Sequence, residues 1–173
     1  FTGPYDEFDF VNGPSETSKF SDPFSIAVNK DGSKVFVSEP YNGGIRVIIT
    51  ETDPVGVKKS TVYSMKLVDS SGIEVTMYTG YLTLGMPHAY TQGTQSNIVI
   101  YMTTSSTIWY ESTFNDNMVY KIVVTNGCTP NTDGYIEGTV YPIAGVESYS
   151  GFLNKVAGTG HSEFSIPRGM TVD

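Results

Sequence analysis

The amino-acid sequence predicts an all-β fold, and residue usage is the first observation behind this prediction. The chain contains 50 β-branched residues (18 Val, 12 Ile and 20 Thr) but only 4 Leu and 4 Ala. β-Branched side chains pack well on a pleated sheet, whereas Leu and Ala favour helices. The second observation is a high content of turn-forming and aromatic residues, with 18 Gly, 9 Pro, 12 Tyr and 9 Phe. Together they indicate short strands separated by turns, and they exclude a helical bundle.

Length and charge narrow the possible functions. The 173 residues are enough for one domain, and 18 Asp and Glu against 10 Lys and Arg give a net charge of −8. Such a surface repels phosphate groups, so we expect no nucleic-acid binding. No apolar run approaches the ~20 residues that span a bilayer, so we expect no membrane insertion. The acidic composition, rich in Thr, Ser and Tyr, favours an extracellular or cell-surface location, and Phe1 fits either a removed signal peptide or a start within a longer chain.

Alternating apolar residues predict the individual strands. In the first half we expect strands at 24–29, 34–39, 45–49, 61–68 and 73–78, the last two joined by a turn at 69–72. In the second half we expect strands at 97–102, 107–111, 118–124 and 140–143. The last of these is a short outer strand, because Pro142 is tolerated only at a sheet edge. We expect long loops at 51–60, 80–96 and 126–163.

The first predicted strands carry a recognisable repeat. Residues 20–45 resemble an NHL repeat, one blade of an NHL-type β-propeller, in the pattern Phe20-x-x-Pro23-x-x-Ile26-Ala27-Val28-Asn29-x-x-Gly32-x-x-Val35-Phe36-Val37-Ser38-Glu39-x-x-Asn42-x-x-Ile45. The segment Phe164-Ser165-Ile166-Pro167-Arg168-Gly169-Met170-Thr171-Val172-Asp173 is similar to the opening of another repeat. Residues 98–122 look like a degraded copy. The resemblance implies an incomplete propeller with long inserted loops: a blade at 20–80, a degenerate blade at 86–145 and the start of the next at 156–173.

The chain departs from the family pattern at several polar positions. The family usually has Asp where Glu39 and Glu111 stand, and Arg where Gly44 and Met118 stand. We therefore expect weaker polar ties within each blade.

No catalytic constellation is recognisable in the sequence. His88 and His161 lie in no metal-binding spacing, and no Gly-x-Ser-x-Gly occurs. The carboxylates at Asp6-Glu7-Phe8-Asp9 lack the regular order of a Ca²⁺ loop, so a solvated acidic loop is favoured and Ca²⁺ is kept as an alternative. We predict no catalytic residue and no cofactor.

Residues of the predicted loops are the candidate interaction positions. Trp109 and Tyr110 are adjacent, so on a strand one of them faces outward unless both pack between blades. Asn115, Asp116 and Asn117 offer three oxygen ligands in a row, but a turn between strands favours the same residue types, so we expect a turn that is available for contacts. The single cysteine, Cys128, is a candidate for pairing with another chain. The full set is Tyr41, Asn42, Trp109, Tyr110, Asn115, Asp116 and Cys128.

The number of blades suggests a function. Propellers usually close with 4–8 blades, and two blades and a fraction leave open faces that invite association. We therefore predict a non-catalytic structural or adhesive module that assembles with other protein chains, including copies of itself. The alternative is a segment of a propeller enzyme. Some propellers similar to this one are lactonases, hydrolases or lyases that hold Ca²⁺ or Zn²⁺ in the central channel.

Overall fold

The strands of the chain are described from a computed structural model, which covers residues 11–39, 44–75, 81–85, 88–92, 95–105 and 118–145. In chain order the strands in these ranges are β1 (Gly13–Pro14), β2 (Ser25–Val28), β3 (Lys34–Glu39), β4 (Gly44–Thr52), β5 (Lys58–Val68), β6 (Tyr81–Leu84), β7 (His88–Gln92), β8 (Gln95–Ser105), β9 (Met118–Val124) and β10 (Ile136–Ala144). A 3₁₀ turn, Asn126–Cys128, follows β9. The all-β prediction is confirmed.

These strands join into one sheet. The strand order is β2-β3-β4-β5-β10-β9-β8-β6, with β1 paired to β5 and β7 paired to β8. Neighbouring strands are antiparallel except for β5 and β10, which run parallel from the pair Ile136 and Met65 to the pair Thr139 and Val68. The first four strands of this order form an antiparallel meander.

The sheet curls into a half-barrel, so its two ends approach each other. Although β2 and β6 stand at opposite ends of the strand order, the Leu84 N–H donates a hydrogen bond to Ser25 Oγ at 3.1 Å. The curl gives the sheet a concave inner face and a convex outer face.

The inner face carries the main hydrophobic core. Along β9, buried Met118, Tyr120, Ile122 and Val124 alternate with half-buried neighbours, as expected for a strand with one face in the core. Burying one such side chain fully contributes about 1.5–3 kcal/mol. From the other strands the core includes Phe36, Val47, Met65, Leu67, Leu84, Ile98, Ile100, Met102 and Ile136.

Gly138 allows the two halves of the sheet to meet. It lies on β10 where that strand pairs with both β5 and β9. A Cβ at this position would lie 2.9 Å from Ile122 Cγ2 and 3.2 Å from Leu67 Cδ2. These distances are shorter than normal carbon contacts, so a side chain here would force the core apart.

Three turns of the sheet share one polar arrangement, in which Asp53, Asp69 or Asn131 accepts hydrogen bonds from the N–H groups two and four positions further along. Asp69 Oδ1 accepts hydrogen bonds from the N–H groups of Ser71 and Ile73 at 2.8 and 2.9 Å. Asn131 Oδ1 accepts the equivalent hydrogen bonds from the N–H groups of Asp133 and Tyr135, at 3.1 and 2.9 Å. Asx side chains favour turns through such bonds, and the predicted turn at 69–72 is confirmed.

The predicted loops are partly wrong. Residues 51–60 are mostly hairpin, since Thr52 pairs with Lys58 and the chain reverses within 53–57. The predicted loop at 80–96 contains β6 and β7, and the one at 126–163 contains β10. These segments lack clear apolar alternation, so local sequence gives little sign of them, and β10 also pairs with the distant strand β5. Of the predicted strand at 73–78, residues 73–75 form only an isolated bridge, between Glu74 and Val68, so that part of the prediction is wrong. Residues 76–78 and the predicted strand at 107–111 lie outside the described residues.

The prediction of a short outer strand at 140–143 is also wrong. β10 begins at Ile136 and lies between β5 and β9. Pro142 nevertheless lies beyond the four residues of β10 that pair with β5, next to an irregularity in the pairing with β9. A residue without an N–H donor is tolerated at such a position because the neighbouring strand has already ended.

Candidate functional site

An apolar groove lies on the outer face of β2, β3 and β4. On β2 the small residue Ala27 faces the core, so Ile26 and Val28 face outward. Register places Ile26 beside Val37 and Val28 beside Val35, which extends the apolar surface onto β3. The groove has a volume of about 510 Å³. Its lining residues are Phe20, Pro23, Phe24, Ser25, Ile26, Val28, Val35, Val37 and Ile48.

The apolar side chains along β2 are exposed to solvent. Ile26 is 65% exposed, Phe24 is 44% exposed and Val28 is 39% exposed. Single exposed apolar residues are normal on protein surfaces, but these three, at alternate positions of β2 and the residue before it, form a contiguous patch. A ligand or another protein can therefore reach this part of the outer face.

Next to the groove, part of the outer face is covered by residues 11–21, which we call the N-terminal arm. Within the arm, β1 pairs with β5, and Asn12 exchanges hydrogen bonds with Ser64 at 3.0 and 3.1 Å. Phe20 packs on a second apolar cluster of Val35, Val37, Ile48 and Val62. The arm therefore covers the side of the outer face near β5 and leaves the side near β2 exposed.

A buried ion pair fastens the arm to the sheet. Arg46 of β4 and Glu39 of β3 are both fully buried, and Arg46 NH1 lies 3.1 Å from Glu39 Oε2. The same guanidinium donates to Val11 O at 2.8 Å and to Lys19 O at 3.1 Å. The Ser21 N–H donates to Glu39 Oε1. The pair thus binds both ends of the loop that the arm makes.

The pair also sets one wall of the groove. The Arg46 guanidinium lies over the Phe20 ring, 5.0 Å from its centroid, within the range of cation–π attraction. Phe20 lies between Lys19 and Ser21, whose main-chain groups the ion pair binds. The position of this aromatic wall is therefore fixed by polar contacts on either side of it.

Burial opposes ionisation of both members of the pair. It raises the pKa of Glu39, against the hydrogen bond from Ser21 and the attraction of Arg46, both of which lower it. Burial likewise lowers the pKa of Arg46, against the charge of Glu39. Moving two charges out of water costs several kcal/mol each, and this cost is offset by the hydrogen bonds that Arg46 and Glu39 make to each other and to the arm.

This pair corrects one expectation from the sequence. We expected the replacement of Asp by Glu39 and of Arg by Gly44 to weaken the polar ties of the first blade. At this position the expectation is wrong, because Arg46, two residues beyond Gly44, reaches Glu39 from the adjacent strand. Glu39, which is longer than the Asp of the family pattern, and Arg46, which lies two positions after the Arg of that pattern, form a buried ion pair.

Six of the predicted interaction positions, Tyr41, Asn42, Trp109, Tyr110, Asn115 and Asp116, lie outside the described residues. The strand ends that flank them are described: Glu39 and Gly44 border the first two, and Ser105 and Met118 border the other four. The end of β3 pairs with the start of β4, and the end of β8 pairs with the start of β9. Because β5 and β10 run parallel, these two pairs of strand ends lie at the same end of the sheet.

Cys128 lies at the opposite end of the sheet, after β9, and its side chain is only 1% exposed. Burial raises the pKa of its thiol to about 12. The turn that carries it has positive φ angles at three consecutive residues, Asn126, Gly127 and Cys128. A disulfide to another chain needs an accessible thiolate, which this position does not offer in the folded chain.

The groove is the feature that sequence reasoning missed. Alternation at Phe24, Ile26 and Val28 signals a half-buried strand, and the larger apolar residues would be expected in the core. In the structure, Ala27 faces the core instead. The only local hint is that Ser25 and Ala27 are small, which suits the crowded concave side of a curled sheet.

Among the described residues, no group of three His, Cys, Asp or Glu side chains is arranged to hold a metal ion. Within the same ranges, no helix has the length and apolar character needed to cross a membrane. No protein-family model, curated protein or solved structure matches the chain.

Proposed function

We propose that this protein is a non-catalytic interaction module that assembles with other protein chains, including copies of itself, through the outer groove. The observation that carries the proposal is the exposure of Ile26 at 65% in the middle of an apolar groove. Its neighbours Phe24 and Val28 extend the patch along β2. An exposed apolar patch of this kind is a frequent mark of a protein–protein contact.

The arrangement around the groove supports the same proposal. The core occupies the inner face of the sheet, so the outer face of β2 and β3 is a second apolar surface. The N-terminal arm covers part of it and is held by Arg46 and Glu39. A surface built from rigid strands and fixed by a buried polar tie is suited to binding a partner with little rearrangement.

The sequence resemblance extends the proposal to architecture and location. We propose that the antiparallel meander β2–β5 is a blade of an NHL-type propeller, which in a closed ring would pack against a neighbouring blade. In that setting the outer groove would lie in a contact between blades or chains. The acidic composition supports an extracellular or cell-surface assembly.

The test compares two matched substitutions on the full chain. Ile26 and Ile73 are 65% and 66% exposed, but only Ile26 lines the groove. We expect the wild type to form oligomers that grow with concentration in native mass spectrometry and sedimentation. Ile26→Asp should abolish them, whereas Ile73→Asp should leave them intact.

Two results would overturn the proposal. One is a stable wild-type monomer at every concentration, and the other is equal association of the two Asp variants. Circular dichroism and thermal unfolding of both variants confirm that each remains folded.

A further inference from the structure

The size of the exposed patch limits what can occupy the groove. Phe24, Ile26 and Val28 are 44%, 65% and 39% exposed, so the patch they form is no larger than the few hundred Å² of an ordinary surface patch. A stable interface between two folded surfaces needs about 800 Å² on each partner. A short chain segment that inserts a few side chains fits the groove better than a second folded face.

The chain itself shows how this outer face is covered. The N-terminal arm contributes Phe20, the first residue of the sequence Phe20-Ser21-Asp22-Pro23, to the cluster of Val35, Val37, Ile48 and Val62. Pro23 of the same sequence lines the groove. The covering element is thus a Phe-Ser-x-Pro segment whose aromatic ring packs against β3 and β4.

The sequence contains this pattern a second time, as Phe164-Ser165-Ile166-Pro167. In this copy the variable position is Ile166 instead of Asp22, so apolar side chains stand at i and i+2. Exposed side chains on β2 have the same spacing, about 6.6–6.8 Å for two residues of a strand. Arg168 follows the pattern, and a basic residue suits a chain with a net charge of −8.

We infer that the outer groove of one copy receives the Phe164-Ser165-Ile166-Pro167 sequence of a second copy. This inference rests on the proposed function and names its partner. The contact is heterologous, since the groove and the inserted sequence are different surfaces. Each added copy brings a further groove, so association proceeds as an open series of oligomers instead of stopping at a dimer.

The test is a complementation experiment with two full-length variants. Ile26→Asp disables the groove but keeps the segment, and the double variant Phe164→Ser with Ile166→Ser disables the segment but keeps the groove. We expect wild type to give a ladder of oligomers in native mass spectrometry. Each variant alone should be monomeric, and an equimolar mixture should form a heterodimer that grows no further.

A second measurement uses the segment as a probe. A labelled synthetic peptide with the sequence of residues 161–170 should bind the Phe164→Ser, Ile166→Ser variant. When Ile26→Asp is added to that variant, the dissociation constant of the peptide should rise by about tenfold or more. The control protein is the double variant Phe152→Ser with Leu153→Ser, which should associate like wild type. Thermal unfolding verifies that all variants are folded.

The outcomes separate this inference from the proposed function. If wild type associates and Ile26→Asp prevents it, but the Phe164→Ser, Ile166→Ser variant associates like wild type, the inference that residues 164–167 occupy the groove is wrong. The proposal that the groove is the contact surface is then unaffected. A mixture that remains monomeric while wild type associates also overturns the segment. A wild-type dimer without higher species indicates two folded faces in a symmetric contact, and this overturns the inference as well. If wild type itself does not associate, the proposed function fails first.

Discussion

Arg46 and Glu39 form a fully buried ion pair that holds the N-terminal arm against the outer face of the sheet. The distance from Arg46 NH1 to Glu39 Oε2 is 3.1 Å, and the guanidinium also binds the carbonyl oxygens of Val11 and Lys19. The pair therefore connects two adjacent strands to a segment that lies up to 35 positions away in sequence. It fixes the wall of the groove that Phe20 forms.

We predict that removing one member of this pair is strongly destabilising. Arg46→Met leaves Glu39 buried without its counter-charge and two carbonyl groups without their donor, so the free energy of unfolding should fall by about 3–5 kcal/mol. Urea unfolding measures the change. The control is Lys59→Met, which removes an exposed pair with Asp53 and should cost at most about 1 kcal/mol. A loss below about 1 kcal/mol for Arg46→Met would contradict the prediction.

Replacement of both members should be milder than the sum of the single changes. The double variant Arg46→Met with Glu39→Met removes both buried charges and fills the space with apolar atoms, so a large favourable coupling energy is expected. Hydrogen exchange of the amides in the arm should still be faster than in wild type, because neither Met can bind the carbonyl oxygens or the Ser21 N–H. Unchanged exchange would show that the arm is held by other contacts.

We predict that Gly138→Ala is destabilising although it adds a single methyl group. The new Cβ would lie 2.9 Å from Ile122 Cγ2, in a core with little room to adjust, and overpacking of this kind costs about 1–3 kcal/mol. Thermal unfolding gives the change. Ile122→Ala removes the colliding carbon, so the double variant should be more stable than the two separate losses predict. Simple additivity would argue against the collision.

The turn at Asp69 gives a prediction with a natural control. Asp69→Ala removes the acceptor for the N–H groups of Ser71 and Ile73 and should cost about 1 kcal/mol. Asp69→Asn should restore most of that loss, because Asn131 makes the same two bonds in its own turn. Chemical unfolding compares the three proteins. If Asp69→Asn lowers the free energy of unfolding as much as Asp69→Ala does, the carboxylate charge stabilises the turn and the hydrogen-bond geometry does not.

Cys128 gives the expected pH dependence. Burial raises the pKa of its thiol to about 12, above the unfolded value of about 8.5. The stability this represents is fully present below about pH 8.5 and is lost as the pH rises towards 12. Between these limits the loss is about 1.4 kcal/mol per pH unit.

The measurement compares the wild type with Cys128→Ala, which carries no titrating thiol, at pH 8, 9 and 10. The stability advantage of the wild type should shrink as the pH rises. In addition, the native thiol should react with thiol reagents at pH 8 far more slowly than the unfolded chain does. Rapid, complete reaction of the native protein would show that the thiol is accessible.

Comparison of particular elements shows what could be predicted. The strands at 34–39 and 118–124 were predicted to the residue, because both are short runs rich in β-branched and aromatic residues and both are bounded by turn residues. The hairpin at 51–60 was missed, since Glu51, Thr52, Lys58 and Lys59 form a ladder without an apolar face. Its formation depends on the β4–β5 pairing that continues from the core.

The candidate site depended still more on tertiary structure. Phe24, Ile26 and Val28 are the apolar members of an alternating strand, and no local signal indicates that they face solvent. Arg46 and Glu39 are seven positions apart, and the carbonyl groups that complete their contacts belong to Val11 and Lys19. The spacing of these residues in the sequence does not predict that they are in contact.

By itself, the sequence determined that the chain is all-β and where most strands lie, because these follow from side-chain shape and from alternation over a few residues. Only the tertiary structure decided which face of each strand is buried. The curl of the sheet makes its inner side crowded, so the small Ala27 faces inward and Ile26 faces outward. The pairing of β5 with β10 and the closure of the arm by Arg46 likewise join residues that are distant in sequence. Such contacts are set by the packing of the whole sheet, so local sequence cannot specify them.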